Sequence, residues 1–247
     1  MSRLPLKTVA WALLALGVFA GFIALGNWQV RRLHWKLGLI HDVHARAHAP
    51  PVAAPGPAQW SRIRKGHLQY LHVGLHGRFL AGAPTLVHGT STLGYGFWVL
   101  APLRTDRGFV VLVNRGYVPA GLPGTPAFAK TQPPQGEVTL TGLLRFSDPG
   151  GGFLRPNRPQ AGKWYSRDVA AIGAARGLPA DQVAPYFVDA DATATHKAWP
   201  VAGLTVIHFP NHHLGYAITW YLMALGTLLG AGIAARQQWR ARRRARA

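Results

Sequence analysis

Cysteine is missing from all 247 residues. Its absence excludes disulfides, thiolate metal sites and the C-x-x-C-H attachment of covalent haem, so any metal or haem falls to histidine, present 12 times. Acidic residues are scarce too, 8 against 27 Lys+Arg. Such an excess of base first suggests a nucleic-acid partner. The distribution argues against one: Arg3 and Lys7 precede the first apolar run, Arg236, Arg240, Arg242, Arg243, Arg244 and Arg246 follow the last, and all eight acids lie between among nineteen bases. Enzyme signatures are also lacking. There is no G-x-S-x-G, no H-E-x-x-H, no phosphate loop and no G-x-G-x-x-G in a βαβ setting. With few, dispersed acids, a conventional hydrolase or nucleotide enzyme is excluded, and no fixed-period repeat is present.

What the chain does have is two long apolar runs. Thr8 to Leu25 carries no charge, and neither does Tyr216 to Ala235. A run of about 20 residues rises about 30 Å as a helix, the hydrocarbon thickness of a bilayer. Spans are therefore expected over 8–27 and 211–235, the second N-capped by Asn211. Ala24-Leu25-Gly26 offers a signal-peptidase pattern, but the length of the run and the helical pattern beyond it favour an uncleaved anchor. Basic residues flanking spans mark the cytoplasmic side. Residues 1–7 and the Arg-rich tail 236–247 are thus expected in the cytoplasm, and the intervening chain outside a bacterial inner membrane, although Arg31, Arg32 and Lys36 oppose this orientation. The first seven residues have no character of an organellar presequence. Both spans carry G-x-x-x-G, Gly17 with Gly21 and Gly226 with Gly230, a spacing that allows close helix contact with each other or with a membrane partner.

Between the spans the pattern changes twice. Trp28, Arg31, Arg32 and Trp35, at i, i+3, i+4 and i+7, continue the first helix toward Arg46, until Pro50, Pro51, Pro55 and Pro57 end it, so 28–57 reads as a juxtamembrane helix and proline-rich linker. Residues 58–210 then read as a compact β-rich domain. Strands are expected over Leu71–Phe79, Phe97–Leu103, Phe109–Asn114, Val138–Phe146, Trp164–Arg167, Pro185–Asp189 and Leu204–Phe209, with Arg104–Gly108 as a hairpin connection. Asp168–Arg176 reads as a short helix closed by Gly177, and 121–136 and 148–162 as loops. The fold class is an α+β membrane protein: two transmembrane helices flanking a mostly β extracytoplasmic domain with a short helix.

Four groups of residues could carry chemistry. His213, Tyr216, Ala217 and Trp220 share a helical face at the mouth of the second span, beside His212. An imidazole, two rings and an alanine gap suit a haem pocket, and equally an interfacial anchor. His34, His41, His44 and His48 have helical spacings that suit copper or zinc, against a solvated helix with only Asp42 as a carboxylate. His67, His72 and His76 read as exposed polar residues on or beside one strand. Arg115, in Asn114-Arg115-Gly116, would pair with a carboxylate such as a haem propionate, or cap loop carbonyls.

Four stretches, in this order and between two spans, resemble the Surfeit locus protein 1 family of cytochrome c oxidase assembly factors: Leu25–Lys36, Val113–Pro119, Trp164–Asp168 and His213–Trp220, the last the most specific. The resemblance covers the chain from end to end. It implies a non-enzymatic assembly factor for a haem-copper oxidase that binds haem a and aids its insertion into subunit I, with subunit I and haem A synthase as membrane partners. The implied iron ligand is His213, with His212, Tyr216, Trp220 and Arg115 beside the cofactor. Tyr117 stands where tryptophan is usual in the family, and His212 where asparagine is. The rivals are a cofactor-free scaffold for nascent subunit I, a copper carrier using His41, His44 and His48, and an enzyme oxidising haem.

Overall fold

About 20 residues, between five and six turns, are needed to carry a helix across a bilayer, and the chain supplies more than that at both ends. The computed structural model describes residues 6–63, 68–129, 131–152, 154–192, 199–207 and 209–244; Arg3, His67 and Arg246 lie outside them. Two units result: residues 1–42 with 208–247, and residues 43–207.

The first helix, Leu6–His48, is unbroken for 43 residues, a rise of about 65 Å. Nothing inside it interrupts the backbone ladder, and it stops where Pro50 and Pro51 remove two amide donors in succession. In its last turn the His48 ring bonds the His44 carbonyl at 2.8 Å. The second long helix, His213–Arg244, begins after Pro210, where the Asn211 side chain accepts from the His213 N–H at 3.4 Å. It runs nine residues beyond Ala235, so the arginine tail is helical as far as Arg244. Both helices are long and apolar enough to cross a membrane.

The two helices run antiparallel and touch near one end. Ala217 and Ala224 are buried there, as is Gln29. Gly26 leaves no room for a Cβ, because the Tyr221 ring lies against it, and the Tyr221 hydroxyl donates to Asn27 Oδ1 at 2.8 Å. Phe22 stacks on Trp220 with centroids 5.8 Å apart. The G-x-x-x-G glycines make no such contact: a Cβ at Gly17, Gly21, Gly226 or Gly230 would meet nothing within 4 Å. Toward the chain termini the helices leave a cleft of about 700 Å³, lined by Trp11, Ala15 and Phe19 on one and Leu228, Ala231 and Ala234 on the other.

The β unit contains β1 (Val52–Ala53), β2 (His72–Phe79), β3 (Thr85–Ser91), β4 (Gly94–Thr105), β5 (Val110–Pro119), β6 (Glu137–Phe146), a two-residue ladder of β7 (Gly151–Gly152) with β8 (Arg155–Pro156), and β9 (Val183–Ala190). The main sheet has the order β1-β2-β6-β9-β5-β4-β3. Antiparallel pairing of Gly77–Phe79 with Leu103–Thr105 joins β2 to β4 and closes the central strands into a barrel. The β4–β5 hairpin is antiparallel, whereas β9 lies parallel to β5.

Strand β5 is buried on both faces. Phe109, Val111 and Val113 join Val73, Leu103, Tyr186 and Val188 in the barrel core, while Val110 and Leu112 pack with Trp164, Ile172, Val183 and Phe187 in a second core. That second core is covered by the short helix Val169–Ala175, N-capped by Asp168 and closed by Gly177 at φ +67°.

Two expected strands are absent, and β1, β3, β7 and β8 were not expected. Trp164–Arg167 forms only bridges, because the Asn157 side chain takes the Tyr165 and Ser166 N–H groups at 2.8 and 3.1 Å. Leu204–Phe209 is irregular in its described residues; one bridge between Tyr117 and Val201 precedes Gly203, whose φ of +72° turns the chain away. The longest unexpected strand is β3, and Trp164 lies along its outer edge. His72 is not a bare surface histidine: its ring bonds the Ala49 carbonyl at 2.7 Å and Asp191 at 2.9 Å, while His76 is exposed, 3.7 Å from Asp106.

Gly116 holds φ +132° where the Val201 backbone presses against it. Gly116→Ala should therefore cost about 2–4 kcal/mol from strain and overlap together, read as a lower denaturant midpoint for loss of tryptophan fluorescence.

Candidate functional site

His213 occupies the first turn of the second long helix, partly buried, with its Nδ1 2.7 Å from Gln29 Oε1 on the first helix. No described hydrogen bond uses its Nε2. One turn further, Ala217 is buried at 2 %, and Trp220 follows, stacked on Phe22. The Trp220 Nε1 is buried without a hydrogen-bond partner among the described residues. Tyr216, expected on the same face, is 58 % exposed and does not join this group, and His212 is exposed as well. The helical period accounts for this. Positions 213, 217, 220 and 224 form the contact stripe, and 216 sits at its edge. Sequence reading missed Gln29, Asn27, Gly26 and Tyr221, although the first three fall in the stretch Leu25–Lys36.

An imidazole nitrogen without a hydrogen bond, with two stacked rings and an unpaired indole N–H two turns along the same helix pair, would suit a flat, metal-bearing macrocycle. The donor that would hold it is one imidazole, since the chain has no thiolate. Nothing here resembles a nucleophile with its base.

Arg115 lies elsewhere, in the β unit. Its guanidinium donates to the Thr131 carbonyl at 2.5 Å and sits 5.5 Å from the Phe79 ring centroid. No carboxylate pairs with it among the described residues, and burial alone lowers its pKa to about 10. This is a loop-capping contact. Its neighbours in the same motif are structural in other ways: Asn114 donates to Asp189 at 2.7 Å and accepts from the Gly116 N–H at 3.2 Å. Tyr117 is fully buried, and its hydroxyl donates to the Gly94 carbonyl at 2.6 Å.

Asp189, which sequence reading placed only as the end of a strand, is the centre of this region. It is 4 % exposed and receives Asn114 from β5, Arg145 from β6 at 2.8 Å and Thr205 at 2.8 Å, with Arg167 4.0 Å away. Arg167 also stacks on Phe187 at 5.0 Å. Two stretches distant in sequence, Val113–Pro119 and Trp164–Asp168, thus meet at one carboxylate. Nearby in the second of these, Tyr165 stacks on His88, whose ring also bonds the Tyr95 hydroxyl at 2.6 Å. Burial first, then Arg155 and Lys163, hold the His88 pKa below its usual value.

Of the helical histidines, His44 and His48 stack at 5.6 Å. No three His, Cys, Asp or Glu side chains converge as a metal site among the described residues.

Comparison with known sequences resolves the resemblance. The SURF1 family pattern matches residues 16–225. The chain belongs to the SURF1 family. It is 33 % identical to Surfeit locus protein 1 of Homo sapiens over 234 residues, 88 % of this chain and 74 % of the human one. The Mus musculus protein of that name is 34 % identical over 233 residues, 88 % of this chain and 72 % of the other. A SURF1-like protein of Monosiga brevicollis is 33 % identical over 232 residues, 88 % and 84 %. The SURF1 match begins inside the first long helix, takes in the whole β unit and ends inside the second long helix.

In this SURF1-family chain Asp189→Ala removes one partner from a buried ionic group and leaves Arg145 uncompensated. The expected loss is about 3–5 kcal/mol, measurable as a lowered urea midpoint. Arg78→Ala, which breaks an exposed pair with Glu137, should cost less than about 1 kcal/mol.

Proposed function

We propose that this SURF1-family protein is a non-enzymatic assembly factor for a haem-copper oxidase, which binds haem a and passes it to subunit I. The observation that carries the reading is His213: a histidine on the first turn of a membrane-length helix, held through Nδ1 by Gln29, with Nε2 in no hydrogen bond among the described residues and the Phe22–Trp220 stack two helical turns, about 10 Å, away. Haem iron accepts an imidazole nitrogen as axial ligand. His213 would supply it, and Trp220 and Phe22 would wall the macrocycle. Exposed Tyr216 and His212 would flank the opening rather than pack within it. Held by the His213 imidazole, the haem would be loosely enough bound for a carrier that must give it up. Arg115 is engaged by the Thr131 carbonyl, so it is given no part in this reading.

The protein would sit in a bacterial inner membrane with both termini cytoplasmic, close to haem A synthase and nascent subunit I. A scaffold reading keeps the same placement without haem, and the open glycine faces of both helices favour it as a second reading.

The absorption spectrum of the detergent-purified chain from cells making haem a should contain a Soret band. In His213→Ala the band should fall at least about tenfold, with helical circular dichroism retained. A full band in that variant refutes the ligand assignment, and no band in the wild type favours the scaffold. Because the chain has no native thiol, orientation can be read directly: Gln160→Cys in intact spheroplasts should react with a membrane-impermeant maleimide, and Ala241→Cys only after lysis. The reverse pattern overturns the topology.

A further inference from the structure

Gln29 Oε1 can only accept a hydrogen bond. With His213 Nδ1 at 2.7 Å, the shared proton must be on Nδ1, and the lone pair of the ring is then on Nε2. We infer that Gln29 is a positioning residue: it fixes the His213 tautomer and ring plane so that Nε2 alone is presented to an incoming haem iron. This rests on the haem reading above, but the tautomer itself does not.

The surroundings suit that role. Gln29 is 8 % exposed and sits three residues beyond Gly26, against which the Tyr221 ring packs. A second interhelical bond, from the Tyr221 hydroxyl to Asn27, lies two residues before it, and its burial leaves little solvent to compete for the His213 Nδ1 proton. An unheld imidazole divides between two tautomers and rotates about χ2, and only one of those states has Nε2 free and aimed. Metal-bound histidines are generally oriented through their other ring nitrogen in this way. A carbonyl acceptor also makes the ring more electron-donating, which favours ferric over ferrous iron.

The test uses the full chain in detergent micelles. In haem-free protein labelled with ¹⁵N-histidine, the His213 resonances, identified by their loss in His213→Ala, should report the proton on Nδ1. In Gln29→Leu that preference should disappear, and in Gln29→Glu, which retains an acceptor, it should persist. Titrated with hemin, Gln29→Leu should bind about 10- to 100-fold more weakly than wild type, with a more positive midpoint potential and a shifted iron–histidine stretch; Gln29→Glu should recover most of the affinity. A wild-type His213 with its proton on Nε2, or one unchanged in Gln29→Leu, overturns the inference, and the wild-type measurement needs no variant to fold. Equal hemin binding by wild type and His213→Ala would instead overturn the ligand reading alone, since the tautomer is measured without haem.

Discussion

The carboxylate of Asp189 is bound by groups from four separate parts of the chain: Asn114 on β5, Arg145 on β6, Thr205 beyond β9, and Arg167 just before the short helix. A buried charge is tolerated only when its partners are fixed around it. Each partner therefore becomes a constraint on the strand or loop that brings it. Asn114 cannot slide along β5, Arg167 cannot leave Phe187, and the Thr205 segment must return to the barrel after an irregular course. The cores on the two faces of β5 supply most of the apolar burial. The carboxylate supplies the registration, since apolar contacts alone would accept neighbouring alignments more readily than a paired ion would.

The helix pair is held by different means. Lipid chains are as apolar as leucine, so burial gives helices little reason to associate within a bilayer, and small or polar residues take over. Here Gly26 admits the Tyr221 ring, Asn27 takes its hydroxyl, and Gln29 meets His213. All three lie in one short stretch at the end of the first span. Further along, the helices separate around a cleft of about 700 Å³. The pair is fastened where its polar residues are and loose where they are not.

Much of this was legible in the sequence, for reasons that can be named. Charge-free length and the proline cluster after His48 marked the first helix and its end; Asp168 and Gly177 marked the short one; the Val-rich run at 109–113 marked the central strand. The edge strand β3 escaped notice because its apolar run is only Leu86 and Val87 and Gly89 interrupts the strand composition. Trp164–Arg167 has strand composition, but a distant asparagine side chain claims its amides. At the candidate site, spacing put His213, Tyr216, Ala217 and Trp220 on one helical face, but the first helix covers a narrower stripe that leaves Tyr216 exposed. Gln29 could not be found by spacing at all. Its partner is 184 positions away, and only the antiparallel pairing of two spans brings them together.

The parallel ladder of β5 with β9 pairs Val110 with Val183 and Asn114 with Asp189, strands separated by roughly 70 residues of chain. Contacts so distant in sequence form late, because the intervening loop must first be closed. A chain emerging from its N-terminus therefore presents β5 with one flank open and both faces bare until β9 arrives. β9 ends at Ala190 and the second long helix begins at His213. Barrel closure and arrival of the second membrane helix are thus nearly simultaneous events in synthesis, and the interval before them is when the half-made domain is most exposed to aggregation.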